Sequence, residues 1–570
     1  MCECENKVWK YKYIDESKVQ EIKSRVLVSD FLAKVLATLN VDVEDMESFL
    51  KPRLSSMNDP FLLKDMNKCV YRIVKALDDG EHIVIFGDYD VDGITSTAIM
   101  YDFLTELGGK VDYYVPNRLS EGYGLSKSAV DNALEKKPDL IITVDCGITS
   151  VQEVDYIRSK GVEIIITDHH ECGSKLPNAY GVINPMRDDN KYPFRSLAGV
   201  GVALKLIIAL CKEKDFGDQY LKYMDIVLLG TVADVVSLTD ENRAMVRYGL
   251  KKMNKMPNLG ISKLIEASGI RSKEITTANV GFGLAPRLNA AGRLGDATQC
   301  VELLTTRDKN RAEHIANFLE HENRERKKTE QAILEEALEK IKANGLDKDK
   351  VIVVSDENWH RGVIGIVASR ITDMYFKPSI VLTMKDGIAN GSARSIKNFD
   401  LFCAISECKD LLVNFGGHKM AAGLTINQNN IDLLRKRINE YADEKLDLEG
   451  MRDVLDITMQ LDITDITLEN AKKLEHLKPF GSDNPVPIFS CYNMKVVGIR
   501  VMTEGKHLKL VLGGGNLNST VEALGFNMGN IARTIHVDDH VDVVFELGRN
   551  NWNGRENVQM IIKDMIKYDG

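Results

Sequence analysis

The sequence predicts an α/β protein: a doubly wound parallel-sheet domain, a long linking helix, a smaller α/β domain and a small C-terminal β-barrel. Three observations carry that prediction. Between His82 and Asn184, short Ile/Val-rich runs alternate with amphipathic stretches, the pattern of a parallel sheet covered by helices on both faces. The alternation restarts at Val351-Ile352-Val353-Val354, after a dense and highly charged helical stretch. From about residue 450 it gives way to short strands separated by Gly and Asn turns. A chain of 570 residues has room for about three or four domains.

Composition narrows the class. Hydrophobic residues make up 44% and charged residues 28%, ordinary for a soluble globular protein. No run approaches the ~18 apolar residues of a membrane span, and Met1-Cys2-Glu3-Cys4-Glu5 lacks the apolar centre of a secretory signal. A cytoplasmic protein with no membrane partner is expected. Ten cysteines are scattered without a Cys-x-x-Cys pair, so neither a zinc ribbon nor a disulfide framework is expected. The formal net charge of −10 argues against a generally basic nucleic-acid coat but leaves room for a local basic groove.

Residues 1–80 read as a helical preface, with Phe31, Leu32, Val35, Leu36 and Leu39 at helical spacing, a packing collar for the domain that follows. In the first α/β domain the expected strands are 82–87, 111–115, 140–144, 163–167 and 181–183, with helices near 94–107, 126–135 and 149–159. Three strand ends run into acids: Asp88, Asp90 and Asp92 after the first, Asp145 after the third, and Asp168-His169-His170 after the fourth. One such loop could be a solvated turn with a helix cap. Three at the carboxyl edge of a parallel sheet, where ligands bind, point to a divalent cation. Carboxylate oxygens plus imidazole suit Mn²⁺ or Mg²⁺, with Mn²⁺ better matched to histidine. Arg118, in the loop Pro116–Gly124, is either a surface cation or a phosphate ligand at the same edge.

Residues 199–320 read as mainly helical. Ala198-Gly199-Val200-Gly201 resembles a phosphate loop, but no Gly-x-x-x-x-Gly-Lys-Ser/Thr occurs, which leaves a P-loop nucleotide hydrolase unsupported. Asp234 is a lone acid in an apolar run, costly to bury unless paired or ligated. Either a core ion pair or a further metal ligand satisfies it. Arg287, Asn289 and Arg293 fall in what reads as a Gly/Pro-bounded loop. From 308 to about 343 a long helix links two domains, its basic residues a solvated face or a backbone contact. In the second α/β unit, His360, Arg361, Ser392, Arg394, Gly416, Gly417 and His418 combine cationic donors with paired glycines, suited to close approach of a phosphodiester backbone. The final strands, Lys495–Val501, His507–Leu512, Ser519–Gly525 and Val541–Leu547 among them, suit an OB fold. Such a barrel either tracks single strands or is simply structural.

Asp88-Tyr89-Asp90-Val91-Asp92-Gly93, Asp145-Cys146-Gly147 and Asp168-His169-His170 resemble successive motifs of the DHH phosphoesterases. Pro116-Asn117-Arg118, Glu121-Gly122-Tyr123-Gly124, Ala285–Arg293 and Trp359–Gly365 resemble its branch of single-stranded-DNA-specific exonucleases, and Gly416-Gly417-His418 resembles the signature of the DHH-associated domain. The likeness covers nearly the whole chain, weakest in the first 50 and last 120 residues. It implies a 5′→3′ exonuclease of recombination and repair that cuts single-stranded DNA to mononucleotides with two Mn²⁺ or Mg²⁺ ions. Asp90, Asp92, Asp145, His169 and Asp234 fall on the family's ligand positions, with Asp145 as the bridge. Asp88 and Asp168 are supporting carboxylates, and His170 faces the scissile phosphate. Arg118, Ser392 and Arg394 suggest a pocket for the 5′-terminal phosphate, with Tyr123, Arg287, Asn289, Arg293, His360, Arg361, Gly416, Gly417 and His418 as further substrate contacts. The implied organisation is preface 1–80, DHH catalytic domain 81–307, linking helix 308–345, DHH-associated domain 346–450 and OB-like domain 451–570. The chain ends soon after that last domain, so the additional C-terminal domain of some longer members is not expected. The expected partner is single-stranded DNA, with a single-strand-binding protein and a helicase as further candidates. Two other readings stand beside this one. A DHH phosphodiesterase of short oligonucleotides or cyclic dinucleotides would be a much shorter chain without the β-domain. A non-catalytic replication-scaffold relative would have lost the ligand carboxylates that are all kept here.

Overall fold

The structure is a computed structural model that describes residues 7–118, 121–122, 124–294, 296–447, 450–514, 519–552 and 555–568. Strand β1 (Val8–Tyr11) and helices Glu16–Arg25 and Asp30–Ala37 open the chain. The first sheet holds β2 (His82–Gly87), β3 (Lys110–Tyr114), β4 (Leu140–Val144), β5 (Glu163–Thr167) and β6 (Gly181–Ile183), all parallel, in the order β3-β2-β4-β5-β6. Every residue of β2 and β4 is buried, as a sheet covered on both faces requires. One face packs on helices Met66–Asp78, Val91–Glu106, Gly199–Glu213 and Met224–Ala233; the other packs on Lys127–Leu134 and Val151–Ser159. The chain leaves β2 toward β3 and returns to β4 on the other side. The crevice between the carboxyl ends of β2 and β4 is therefore the topological switch point where a ligand fits.

The Lys309–Ala343 helix, capped by the Asp308 side chain, leads into a second sheet. Its strands β7 (Ile352–Asp356), β8 (Ser379–Lys385), β9 (Ile388–Arg394), β10 (Leu412–His418) and β11 (Ala421–Asn427) are ordered β10-β11-β9-β8-β7, and only β7 and β8 are parallel. The last third contributes β12 (Val454–Ile457), β13 (Met459–Gln460), β14 (Ile488–Met502), β15 (His507–Gly513), β16 (Thr520–Gly525), β17 (His540–Trp552) and β18 (Arg555–Lys567). Six of these, β13 to β18, form one sheet that pairing of β14 with β17 closes into a barrel. Strand β18 lies beyond the strands read from the sequence.

The opening helices do not serve the domain that follows them. Val19, Ile22, Leu32, Val35 and Leu36 share one core with Phe489, Val496, Leu508 and Phe545 of the barrel, and β1 pairs in parallel with β12. The first α/β domain is met further along, where Phe49 and Leu50 receive Arg243 and Arg247 and the stretch from about Leu54 onward joins its core. Every described cysteine is a free thiol, and among the described residues no helix is long and apolar enough to cross a membrane.

Candidate metal and phosphate site

The acids converge at the switch point. Asp88 follows β2 directly and Asp145 follows β4, the latter in the left-handed region at φ 61°, a strained conformation that clusters at functional sites. Asp90 caps the Val91–Glu106 helix, its Oδ1 accepting from the Asp92 and Gly93 amides. Asp92 is buried, and its two oxygens accept from Gly199 N at 2.6 Å and Val200 N at 2.8 Å. The glycine-rich start of the Gly199–Glu213 helix thus directs its N-terminal amides at a carboxylate of the protein, not at a ligand phosphate. Gly199 has no room for a side chain: a Cβ there would lie 2.5 Å from Asp145 Oδ1.

His169 Nε2 lies 3.1 Å from Asp145 Oδ1, 3.7 Å from Asp234 Oδ2 and 3.8 Å from Asp92 Oδ2. Ligand atoms of Asp92, His169 and Asp234 form one group within 4.8 Å of one another; those of Asp88, Asp90 and Asp145 form a second. Asp88 Oδ1, Asp145 Oδ1 and His169 Nε2 are buried with no hydrogen-bond partner. Three orphaned ligand atoms spread over these adjoining groups, with oxygen and imidazole donors, are what divalent ions of the Mn²⁺ or Mg²⁺ type fit.

Electrostatics agree with that fit. Burial, and then repulsion from neighbouring carboxylates, pushes Asp88, Asp92 and Asp145 well above the usual carboxylate range. Asp234 rises to about 7 for the same reasons, burial first and Asp90 next. Burial and the charge of His170 push His169 down to about 4, leaving a neutral imidazole suited to metal ligation. His170 behaves oppositely. Burial disfavours its charge, but the 2.7 Å bond from Nδ1 to Asp168 and that carboxylate's charge outweigh it and hold the ring up at about 9. Asp168 also accepts from the Ile148, His169 and His170 amides. It orients and charges His170.

Beside the acids, a cavity of about 570 Å³ opens between the two α/β domains. Tyr89, Arg118 and Arg293 line it from the first; Arg361, Ser392, Arg394, Gly416 and Gly417 line it from the second. The Arg118 guanidinium lies 5.2 Å over the Tyr89 ring, Arg394 donates to Ser392 Oγ, and Arg293 donates to Gly362 O across the domain boundary. Burial, then the charge of Arg118, lowers Arg394 and brings Arg293 to about 10. Cations crowded in this way favour an anion among them. Gly365, on the first turn of the Ile364–Tyr375 helix, leaves the space: a Cβ there would approach Ser392 Oγ to 2.9 Å and Arg394 Nη2 to 3.3 Å.

Four of the residues read as substrate contacts do not line this cavity. The segment Ala285–Leu294 is a helix, not a loop. In it Arg287 is buried and donates to Glu320, Gly283 O and Ser268 O, so its guanidinium clamps neighbouring backbone. Asn289 is half-buried within the same helix. His360 accepts the Gly362 amide at Nδ1 and shapes its own turn, while His418 sits at the exposed end of β10. Tyr123 lies outside the described residues. The sequence reading passed over Tyr89 beneath Arg118, and Asn390, Asn414 and Thr425 on the cavity wall. Tyr89, between two of the acids, carried a signal; the other three are common strand residues and carried none.

Comparison with known proteins follows the same division of the chain. The DHH family, N-terminal domain, matches residues 82–231; the DHHA1 domain matches 348–444; and the RecJ OB domain matches 457–564. The chain is 39% identical over 560 residues to the single-stranded-DNA-specific exonuclease RecJ of Bacillus subtilis, covering 98% of this chain and 70% of that one. Against RecJ of Escherichia coli the identity is 34% over 526 residues, covering 88% and 90%. Among solved structures, RecJ from Thermus thermophilus in complex with Mn²⁺ superposes with a TM-score of 0.84 at 29% identity, covering 100% of this chain and 81% of that one.

Proposed function

This chain belongs to the RecJ family of DHH proteins, and from that premise we propose that it is a single-stranded-DNA-specific exonuclease that hydrolyses its substrate from the 5′ end. The observation that carries the reading is the junction of a cationic interdomain pocket with a cluster of orphaned carboxylate and imidazole ligands. Asp90, Asp92, Asp145, His169 and Asp234 would hold two Mn²⁺ or Mg²⁺ ions, with Asp145 in reach of both groups and Asp88 beside it. Bound there, the ions supply Lewis acidity to the phosphoryl oxygens and a water of lowered pKa. Charged His170, fixed by Asp168, neutralises charge on the reacting phosphate. Arg118, Ser392 and Arg394 grip the terminal 5′-phosphate, which sets polarity, with Arg293 and Arg361 adding positive charge along the wall. The supports for this assignment are the depressed Arg293 and Arg394 and the space that Gly365 leaves.

Selectivity for one strand follows from a cleft closed on two sides by domains, with phosphate contacts dominating affinity. A chain that consumes single strands needs them exposed, which makes a helicase and a single-strand-binding protein its natural partners and the cytoplasm, where DNA is repaired, its location. The competing phosphodiesterase reading is separated by labelled single strands of graded length, with and without Mn²⁺: it requires activity confined to the shortest. The 5′ pocket is tested by kcat/KM on matched 5′-phosphate and 5′-hydroxyl strands. Each charge-assisted bond is worth about 1.5–3 kcal/mol, so Arg394→Ala should cut the phosphate preference about tenfold or more. An unchanged ratio between the two substrates refutes the pocket.

A further inference from the structure

We propose that the cavity between the two α/β domains is built for a 5′-polyphosphate, so that strands ending in a 5′-triphosphate are substrates alongside those ending in a 5′-monophosphate. The inference rests on the exonuclease reading above and widens the substrate class of its 5′ pocket.

Charge is the first observation. Arg118, Arg293, Arg361 and Arg394 line the cavity, and among the described residues no carboxylate lines it. The hydrogen bonds of Arg293 and Arg394 go to Gly362 O, Ser392 Oγ and Ala393 O, none of them charged. A terminal monophosphate brings about two negative charges. The first phosphodiester is met by the ions and His170, so guanidinium charge is left over. Each further phosphate on the 5′ end supplies more of the missing charge, and its oxygens match the guanidinium forks in pairs.

Shape is the second. Strands β9, β11 and β10 lie side by side, and Ala389, Ala393, Ala422 and Leu424 turn into the core of the second domain. The alternate residues therefore face the cavity. Register sets them in rows. Arg394 lies opposite Ala421; Ser392 aligns with Gly423 and Gly416; Asn390 aligns with Thr425 and Asn414. The middle row is bare: a Cβ on Gly416 would meet nothing within 4 Å, and one on Gly423 only Gly391 O at 3.9 Å.

The rows also have a direction. Arg394 feels the charge of Arg118 from the first domain, so its row stands at the domain boundary, and the Asn390 row lies about 13 Å further along β9. A pocket for one phosphate would end at Ser392. This one continues over the glycine trough to two amides and a hydroxyl. Thr425 Oγ1 donates to Asn390 Oδ1 at 3.4 Å, which leaves the Asn390 NH2 group as a donor. Neutral donors beyond a cationic mouth suit the outer oxygens of an anion whose inner phosphate the arginines already hold. The volume of about 570 Å³ falls in the range of pockets that enclose whole small molecules.

The reaction itself is unchanged by the longer end group. Water oxygen bonds to the phosphorus of the first phosphodiester, the P–O3′ bond breaks, and O3′ leaves with a proton. The released nucleotide keeps its triphosphate and the shortened strand keeps a 5′-phosphate. Later rounds then proceed on a monophosphate end.

The test uses the full chain with Mn²⁺ and single strands of one sequence bearing a 5′-hydroxyl, a 5′-monophosphate or a 5′-triphosphate. First-turnover kcat/KM is measured on each, and the first product is identified by mass spectrometry. The triphosphate strand should be cut at least as efficiently as the monophosphate strand and should release a nucleoside triphosphate. In the Asn390→Ala/Asn414→Ala double variant the triphosphate-to-monophosphate ratio should fall about tenfold or more, as expected for bonds to a charged group. Gly416→Val, which has room in the fold and fills the trough, should lower the same ratio. A wild-type protein that prefers the monophosphate and treats the triphosphate like the hydroxyl overturns the proposal. So does an unchanged ratio in both variants. Equal cutting of hydroxyl and monophosphate strands would instead remove the 5′ pocket, and no cleavage of any strand would remove the exonuclease reading; either result takes this inference with it.

Discussion

Asp145 is strained at φ 61°, and burial, followed by the charge of the surrounding carboxylates, pushes its pKa up. Without an ion the cluster resists ionisation, so in the folded metal-free protein these acids retain protons that the unfolded chain has already released. At these acids the folded protein then holds more protons than the unfolded chain between the ordinary carboxylate value of 3.8 and about 7, where Asp234 titrates, while His169, held down to about 4, holds fewer. By linkage, stability contributed by these groups is present below 3.8 and is lost as pH rises through that window. Urea unfolding in EDTA at a series of pH values should show this decline. Mn²⁺ should flatten it, and Asp145→Asn should flatten part of it without metal. The same variant should lose cleavage while still binding single strands. A metal-free Asp145→Asn protein whose pH dependence matches that of metal-free wild type would contradict the account. The acid motifs were readable residue by residue because strand ends placed them at one sheet edge. The orphaned atoms that make the ligand case required coordinates.

At the scale of elements, the Gly199–Glu213 helix shows a correct suspicion with a different object. Its glycine-rich start does bind an anion, but that anion is Asp92. The glycine matters because Asp145 closes over it, so Gly199→Ala should displace a ligand oxygen without unfolding the helix. Mn²⁺ affinity, measured by calorimetry, should fall about tenfold or more, in the range seen when support for a ligand is disturbed, with the circular dichroism spectrum unchanged. Wild-type Mn²⁺ affinity in that variant would show that the approach is not tight. The parallel sheet was legible to within a residue or so, because short β-branched runs bounded by turn residues favour buried strands. The Ala285–Leu294 helix was not. Pro286, Gly292 and two arginines imitate a loop, and the Arg287–Glu320 pair that turns one arginine inward spans 33 residues. No local pattern records such a pairing.

The whole molecule is tied together by contacts between distant parts of the chain, which is why a collar for the following domain holds for the later part of the preface but not for its opening helices. Helices Glu16–Arg25 and Asp30–Ala37 share the barrel's core, and β1 pairs with β12 from the far end of the sequence; hydrophobic periodicity predicts a buried face but not its partner. Arg243 joins the three regions. Fully buried on the Asp240–Lys255 helix, it donates to Phe49 O of the preface and to Leu477 O, Lys478 O and Pro479 O before the barrel, with its guanidinium 3.9 Å over the Phe49 ring. Carbonyl dipoles, not a paired carboxylate, make these contacts. Arg243→Ala would strand four acceptors, each costing about 1–3 kcal/mol when left unsatisfied, and would remove the main polar tie between barrel and catalytic domain. Scanning calorimetry of the metal-loaded variant should therefore resolve two transitions where wild type shows one, the unit of preface plus barrel melting first. Arg243→Lys should not restore the single transition, because one ammonium cannot serve four carbonyls spread across a planar fork. A single transition near the wild-type temperature in Arg243→Ala would mean that the apolar contacts alone hold the barrel in place.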